Sequence, residues 1–390
     1  MKSSNYLSRG IAYRAATAGL AAALAFGSLG ACSTSVSGSA ATSGSSATSD
    51  AASSTAASST DSATTSSLLD ASEQFTDRDL DGSYDDSAAT HISLSDSGIT
   101  VEGDGASVNG STLTISKEGT YVLTGSITDG QVVVSTDASA KVQMVLAGAD
   151  ITSSISAAIY VESADKVFLT IAEGTNNHVS TTGAYAVTDE GVDAAVYAKD
   201  DLTINGTGTL EVTSAQGEGI NAKDDLKLCG GDVAITATDH AIDANDSVRI
   251  ANGSYTIKAG VDGIHVANSE DASLGYLYLS GGTLDVTAQS NGFDAGYFMQ
   301  VDDGVLTVSA GDDGLHAEYD LLLNGGDVTV TMSSEALEGS TVTLNGGTYR
   351  VTASDDGINA SGDPASDVGN TSDKNTADGG ATGTDPIMGG

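Results

Sequence analysis

The chain has 390 residues, 39% of them hydrophobic, and sets Asp+Glu 53 against Lys+Arg 14 for a formal charge of -39. A phosphate backbone or an anionic lipid surface needs a basic stripe, so nucleic acid and acidic bilayers are excluded as partners; the balance favours cations, calcium above all, or neutral sugars. Gly 48 with only Pro 2 excludes collagen, and the recurring short Val, Ile and Leu runs exclude a wholly disordered chain.

Lys2, Arg9 and Arg14 form a basic head, and Ala15 to Gly27 an apolar run too short for a comfortable membrane span. Leu29-Gly30-Ala31-Cys32 follows with the spacing of a bacterial lipobox, in which the cysteine is lipidated after cleavage before it. Residues 1–31 are therefore expected to be a lipoprotein signal peptide, with Cys32 the lipidation site and the protein held at the cell surface through that lipid alone. Cys229 is the other cysteine, so no structural disulfide is expected, and it is read as a small buried apolar residue. Residues 32–67 are Ser, Thr, Ala and Gly, cannot bury enough surface to offset their ordering entropy, and are read as a disordered tether. Residues 363–390 form a similar tail that holds both Pro364 and Pro386. Residues 68–362 thus lack proline, as suits a monomeric domain in which nearly every backbone N–H joins a ladder.

That domain is a repeat. A small, a large apolar and a polar residue recur as Ala158-Ile159-Tyr160, Ala195-Val196-Tyr197, Gly219-Ile220-Asn221, Ala241-Ile242-Asp243, Gly263-Ile264-His265, Gly292-Phe293-Asp294, Gly314-Leu315-His316, Ala336-Leu337-Glu338 and Gly357-Ile358-Asn359. From Ile220 onward the steps between apolar anchors are 22, 22, 29, 22, 22 and 21, the long one carrying an insertion around Asn268 to Tyr276. After each anchor come a short strand such as Asp225–Leu228, a glycine turn such as Cys229-Gly230-Gly231, and an alternating strand such as Val328–Thr331. About 22 residues with two or three short strands is one coil of a single-stranded parallel β-helix, an all-β solenoid. Leucine-rich repeats share the period but need a Leu spacing and an Asn/Cys slot absent here, and a β-sandwich would give hairpins without fixed register.

Phe75-Thr76-Asp77-Arg78-Asp79-Leu80, Thr90–Ser95, Lys117–Gly125, Asp129–Val134, Ala158–Val161, Ala164–Val167, Lys199–Gly206 and Lys223–Leu226 carry a family resemblance. The segment from Phe75 to Asn359 resembles the bacterial carbohydrate-binding domain family built as a calcium-binding right-handed parallel β-helix, related in fold to pectate lyases. The resemblance implies a right-handed winding and a surface protein that binds cellulose-like or pectin-like polysaccharide without cutting it. Where that family tends to repeat Gly-Ile-Lys, this chain has Gly-Ile-Asn, Gly-Ile-His and Gly-Leu-His.

Residues at one phase of a repeat form columns along the domain. One column holds Glu218, His240, Asp262, Asn291, Asp313, Glu335 and Asp356, with Asp239, Asp312 and Asp355 beside it; a second holds Asn221, Asp243, His265, Asp294, His316, Glu338 and Asn359. Carboxylates about 5 Å apart repel unless something bridges them, and calcium, with six to eight oxygen ligands, suits the gap. Asp262, Asp294, Asp313, Glu335, Glu338 and Asp356 are the metal-ligand candidates, against the alternative of a solvated acidic edge. His265 and His316 leave a transition metal open. Tyr297 and Tyr319 each fall four residues past an anchor, and with Tyr276, Tyr278 and Phe298 form either a sugar platform or an aromatic stack over the insertion. Lys199 and Lys223 share a phase; they meet a uronate carboxylate or pair with Asp200-Asp201 and Asp224-Asp225. Asp77-Arg78-Asp79-Leu80-Asp81-Gly82 mimics the start of an EF-hand loop, but its twelfth position is Ala88, so it is read as a polar cap over the open end of the domain.

A lyase on this fold needs calcium plus a base, and the repeats place no Lys or Arg in the acidic columns. A hydrolase needs paired carboxylates, which such columns supply by chance. The expectation is a non-catalytic polysaccharide-binding protein, with a lyase, a hydrolase or an adhesin with a protein partner as alternatives.

Overall fold

The computed structural model describes residues 68–183, 185 and 191–362. The expected signal peptide, Cys32, the tether and the tail lie outside these residues. Among the described residues no helix is long and apolar enough to cross a membrane.

The apolar anchors set the register. Ile159, Val196, Ile220, Ile242, Ile264, Phe293, Leu315 and Leu337 stand opposite one another in successive parallel pairings. All eight are essentially inaccessible and lie in one core that runs from Ile92 to Leu337. Their strands, among them Ala194–Ala198, Glu218–Ala222 and Ile242–Ala244, make one face of the molecule. A second face contains Lys166–Ile171, Asp201–Gly206, Asp225–Leu228 and Ser247–Ile250; a third contains Asn176–Thr181, Thr209–Ser214, Asp232–Ala237 and Ser254–Ala259. Alternation sorts side chains on the third face: Val233, Ile235 and Ala237 are buried while Asp232 and Thr236 are exposed.

The expectation of an open, right-handed, single-stranded β-helix is corrected here. All 28 strands join one continuous sheet that closes around the core as a barrel wall does. Strands of 13 residues, Lys141–Ser153 and Tyr276–Ala288, run through corners and pair on two sides. The reason is glycine at the bend: Gly148 (φ 86°) and Gly282 (φ 90°) take left-handed backbone that lets the strand turn without leaving the ladder. The first strands also depart from the parallel rule, with Thr90–Leu94 antiparallel to Thr100–Glu102 and Ala106–Asn109 antiparallel to Thr112–Ile115. The last anchor, Ile358, is 49% exposed because no further step follows to cover it among the described residues.

The polar cap also needs correcting. Residues 68–88 lie along the second face rather than over an end. Leu68 and Leu69 donate their N–H groups to Gln300 Oε1, Phe75 packs on Tyr278, and Gln143 Nε2 donates to Ser83 O. Between them, Asp77–Leu80 forms one helical turn capped by Thr76. Tyr276, Tyr278 and Phe298 are buried under Leu69 and Phe75, so they cover the sheet beneath this strap rather than the insertion.

Candidate functional site

The anchor face carries the two polar columns, and register alignment makes them rows. Tyr160, Tyr197, Asn221, Asp243, His265, Asp294, His316, Glu338 and Asn359 stand opposite one another at successive steps. The sequence columns thus end at a tyrosine pair on the same edge, which the sequence placed in phase but not in the site.

At the early end each tyrosine carries a lysine. Lys199 Nζ lies 5.6 Å from the Tyr160 ring centre and Lys223 Nζ 5.5 Å from that of Tyr197. The two rings are 5.9 Å apart and tilted by 54°. Lys223 Nζ also lies 3.9 Å from Asp243 Oδ2, so it reaches the acidic row instead of its own Asp224-Asp225. Asp225 is taken by Arg249 at 2.8 Å, and Asp200 accepts from the Ala164 N–H. The columns themselves hold no Lys or Arg, but Lys223 reaches into the acidic row from two residues beyond Asn221.

In the middle, acid and imidazole alternate. His265 Nδ1 is 2.7 Å from Asp243 Oδ1, His265 Nε2 is 3.9 Å from Asp294 Oδ2, and His316 Nδ1 is 2.6 Å from Asp294 Oδ1. His240 adds a parallel strand of the same logic, 3.0 Å from Asp262 and stacked on His265 at 4.6 Å. Burial disfavours the charge on these three imidazoles, but the hydrogen-bonded carboxylates outweigh it and raise each above the ordinary histidine value. Asp262 and Asp294 are thus bonded to histidines, and the repulsion expected between neighbouring carboxylates is relieved there without a metal. Glu338 accepts from Asn359 Nδ2 at 3.0 Å.

Two places in the rows are not relieved. Asn221 Nδ2 donates to Glu218 and, at 2.9 Å, to Asp243, leaving Asn221 Oδ1 buried without a partner. Burial, then the charges of Asp243 and Asp193, push Glu218 up to about 7. At the late end, ligand atoms of Asp312, Asp313 and Glu335 lie within 4.8 Å of one another. Asp313 is 7% exposed and its Oδ1 has no hydrogen-bond partner. Burial and the neighbouring Glu338 raise Asp313 to about 6. Of the six metal candidates, then, Asp313 and Glu335 come together, with Glu338 beside them; Asp262 and Asp294 are engaged elsewhere, and Asp356 is exposed one step further on. Asp312 joins Asp313 and Glu335; the sequence placed it beside this column but not among the six candidates. Oxygen donors, an orphaned carboxylate oxygen and mutual repulsion fit a hard divalent cation.

Tyr297 and Tyr319 stack at 4.2 Å with 23° between ring planes. Each covers one face of the other, and both are half-buried. Cys229 is buried, as the sequence suggested, and burial pushes its thiol up to about 12. A groove of about 890 Å³ lies between Leu80–Tyr84 and the corner turns at Gly206 and Gly230-Gly231. It is largely lined by turns and small side chains, without the acid–imidazole row.

Known proteins are similar to this chain in sequence and in shape. A relative from Acetivibrio thermocellus, described as a carbohydrate-binding domain-containing protein, is 42% identical over 195 residues, covering 49% of this chain and 68% of its own. A solved structure described as the polysaccharide lyase-like protein from C. thermocellum, in a gadolinium derivative, superposes with a TM-score of 0.53 at 29% identity, covering 67% of this chain and 99% of that one. The family described as carbohydrate-binding domain-containing protein matches residues 109–379, and with well over half of its length so matched the chain belongs to that family.

Proposed function

We propose that the protein captures a cellulose-like or pectin-like polysaccharide, as a monomer and without cutting it, along the edge from Tyr160 to Asn359. The observation that carries this reading is the pair of tyrosine–lysine steps, with Lys199 over Tyr160 and Lys223 over Tyr197, continuing into a row of Asn, Asp and His at one residue per step. The rings hold the ammonium groups in place; Tyr197, Asn221 and Asp243 are themselves buried, and from His265 to Asn359 the half-buried row offers donors and acceptors about 4.8 Å apart to the hydroxyls of a glycan laid along it. Calcium at Asp312, Asp313 and Glu335, with Glu338 adjacent, would neutralise the late end of the edge and stiffen it. Lipidation of Cys32 would hold the protein at the cell surface, and intact mass of the membrane-extracted protein tests it.

A second reading is a polysaccharide lyase. It is favoured by Lys223, which stands 3.9 Å from Asp243 inside the acidic row, and by the lyase-like description of the structural neighbour. One experiment separates the two. The protein is incubated with insoluble cellulose and with polygalacturonate gel, in calcium and in chelator, and the supernatant is assayed for reducing ends and unsaturated products. Retention without products supports capture, and its loss on Lys223→Ala places it on this edge. Products that vanish in Lys223→Ala would replace capture by cleavage, and no retention on either matrix would refute both.

A further inference from the structure

The second face holds a different set of side chains from the rest of the surface. Phe168, Thr203, Lys227, Arg249, Tyr278 and Gln300 stand opposite one another at successive steps. Lys166, Tyr276 and Phe298 lie two residues away on the same strands. In a chain with a formal charge of -39, this is a concentration of cations and aromatic rings, and it is buried: Lys166 is 7% and Lys227 6% exposed. Outward-facing lysines are seldom so buried unless something specific covers them.

The cover is the strap, residues 68–88. Asp79 is fully buried and sets one carboxylate oxygen 2.7 Å from Lys166 Nζ and the other 3.1 Å from Lys227 Nζ, with Thr203 Oγ1 donating at 2.9 Å. Arg78 lies over the Phe168 ring at 4.4 Å, and Phe75 lies 6.1 Å from Tyr278. None of residues 68–89 is in a strand, so the strap can lift without breaking a single ladder pairing. A short helical turn held by side chains, on a sheet whose own pairings are independent of it, belongs to the low-stability end of a fold.

We propose that the strap is a displaceable cover over a second glycan-binding face, and that the ligand of this face is a polysaccharide bearing carboxylates, whose acid group takes the place now held by Asp79. Lys166 and Lys227 converge on one carboxylate, as recognition of a uronate requires, and the flanking rings supply faces for sugar rings to stack on. The Tyr160–Asn359 edge presents an acid–imidazole row with a lysine over each tyrosine, whereas on this face two lysines converge on one carboxylate. The inference rests on the carbohydrate-binding reading and adds to it a second face and a closed state.

The test uses the full chain with an oligogalacturonate and, as the neutral counterpart, a cello-oligosaccharide. Backbone hydrogen exchange over residues 68–88 is followed by mass spectrometry as each is added, and affinities are measured by calorimetry. Oligogalacturonate is expected to accelerate exchange across the strap, and cello-oligosaccharide to leave it unchanged. Asp79→Asn, which weakens the clamp, is expected to tighten oligogalacturonate binding about tenfold or more. Adding Lys166→Gln and Lys227→Gln to Asp79→Asn is expected to abolish that gain. The proposal is overturned if oligogalacturonate binds while strap exchange stays unchanged, or if Asp79→Asn brings no gain in affinity. Binding lost in Lys223→Ala with an unchanged strap would leave the edge reading standing and sink this one; no binding of either sugar by any variant would sink both.

Discussion

The sharpest test of the late-end cluster is a substitution whose effect should change sign with calcium. Asp313 is 7% exposed, and burial and Glu338 raise it from 3.8 to about 6. An acid whose folded value is raised is destabilising when ionised: its contribution is most favourable below pH 4 and is lost as pH rises toward 6. At about 1.4 kcal/mol per tenfold, the shift corresponds to at most ~3 kcal/mol, and with water reaching the neighbouring Glu335 we take about 1–3 kcal/mol. Asp313→Asn removes that charge, so in chelator at pH 7 the variant is expected to be more stable than the parent by about this amount. Bound calcium reverses the comparison, because at a hundredfold excess over its Kd it stabilises the parent by about 2.7 kcal/mol, most of which the variant forgoes. Urea midpoints at pH 7, in calcium and in chelator, read both. A parent whose midpoint ignores calcium, or an Asp313→Asn protein less stable than the parent in chelator, would refute the reasoning.

Glu218→Gln is expected to raise the urea midpoint at pH 8 and to leave it little changed at pH 4, because Glu218 is raised to about 7 and ionises at a cost in the folded protein. The imidazoles of His240, His265 and His316 should titrate by NMR above the ordinary histidine value, each drawn up by its carboxylate against the pull of burial. Since a raised histidine stabilises below its unfolded value and that gain fades as pH climbs through the folded one, His265→Gln should be most destabilising at pH 5 and least at pH 9. Ile242→Ala, at a core anchor with no exposure, is expected to cost about 2–5 kcal/mol by denaturation, and a loss below 1 kcal/mol would mean that the anchors do not share one core.

The register was legible because burial repeats with the anchors: Ile220, Ile242 and Ile264 sit opposite one another at the spacing their positions in the chain imply. The polar columns followed from it, and Asp313 with Glu335 came together as the phase required. The closed, corner-turning sheet was not legible, because whether Gly148 or Gly282 ends a strand or bends it depends on the neighbouring steps, which local propensity does not contain. Pairing within the rows was also hidden. The sequence placed Asp294 and His316 in one column, but only side-chain geometry shows His316 bonded to Asp294, which occupies one oxygen of that acid. The strap was misplaced for a related reason. Asp79 was read within an EF-hand-like run forming a polar cap, and its partners Lys166 and Lys227 lie 87 and 148 residues away in the chain.

The position of Leu68 has a mechanical consequence. The chain enters this domain at its flank, beside Gln300, and travels back along the second face before joining the sheet at Thr90. Tension drawn outward on the segment before residue 68 would therefore reach the sheet last. It would open the two hydrogen bonds from the Leu68 and Leu69 N–H groups to Gln300, then the Phe75–Tyr278 contact, and only then the Asp79 clamp on two lysines. The strongest attachment stands behind the weakest ones, so the strap would behave as a fuse in series with the domain. It would part in steps under load while the wound sheet, and the polar row on its other face, stayed whole.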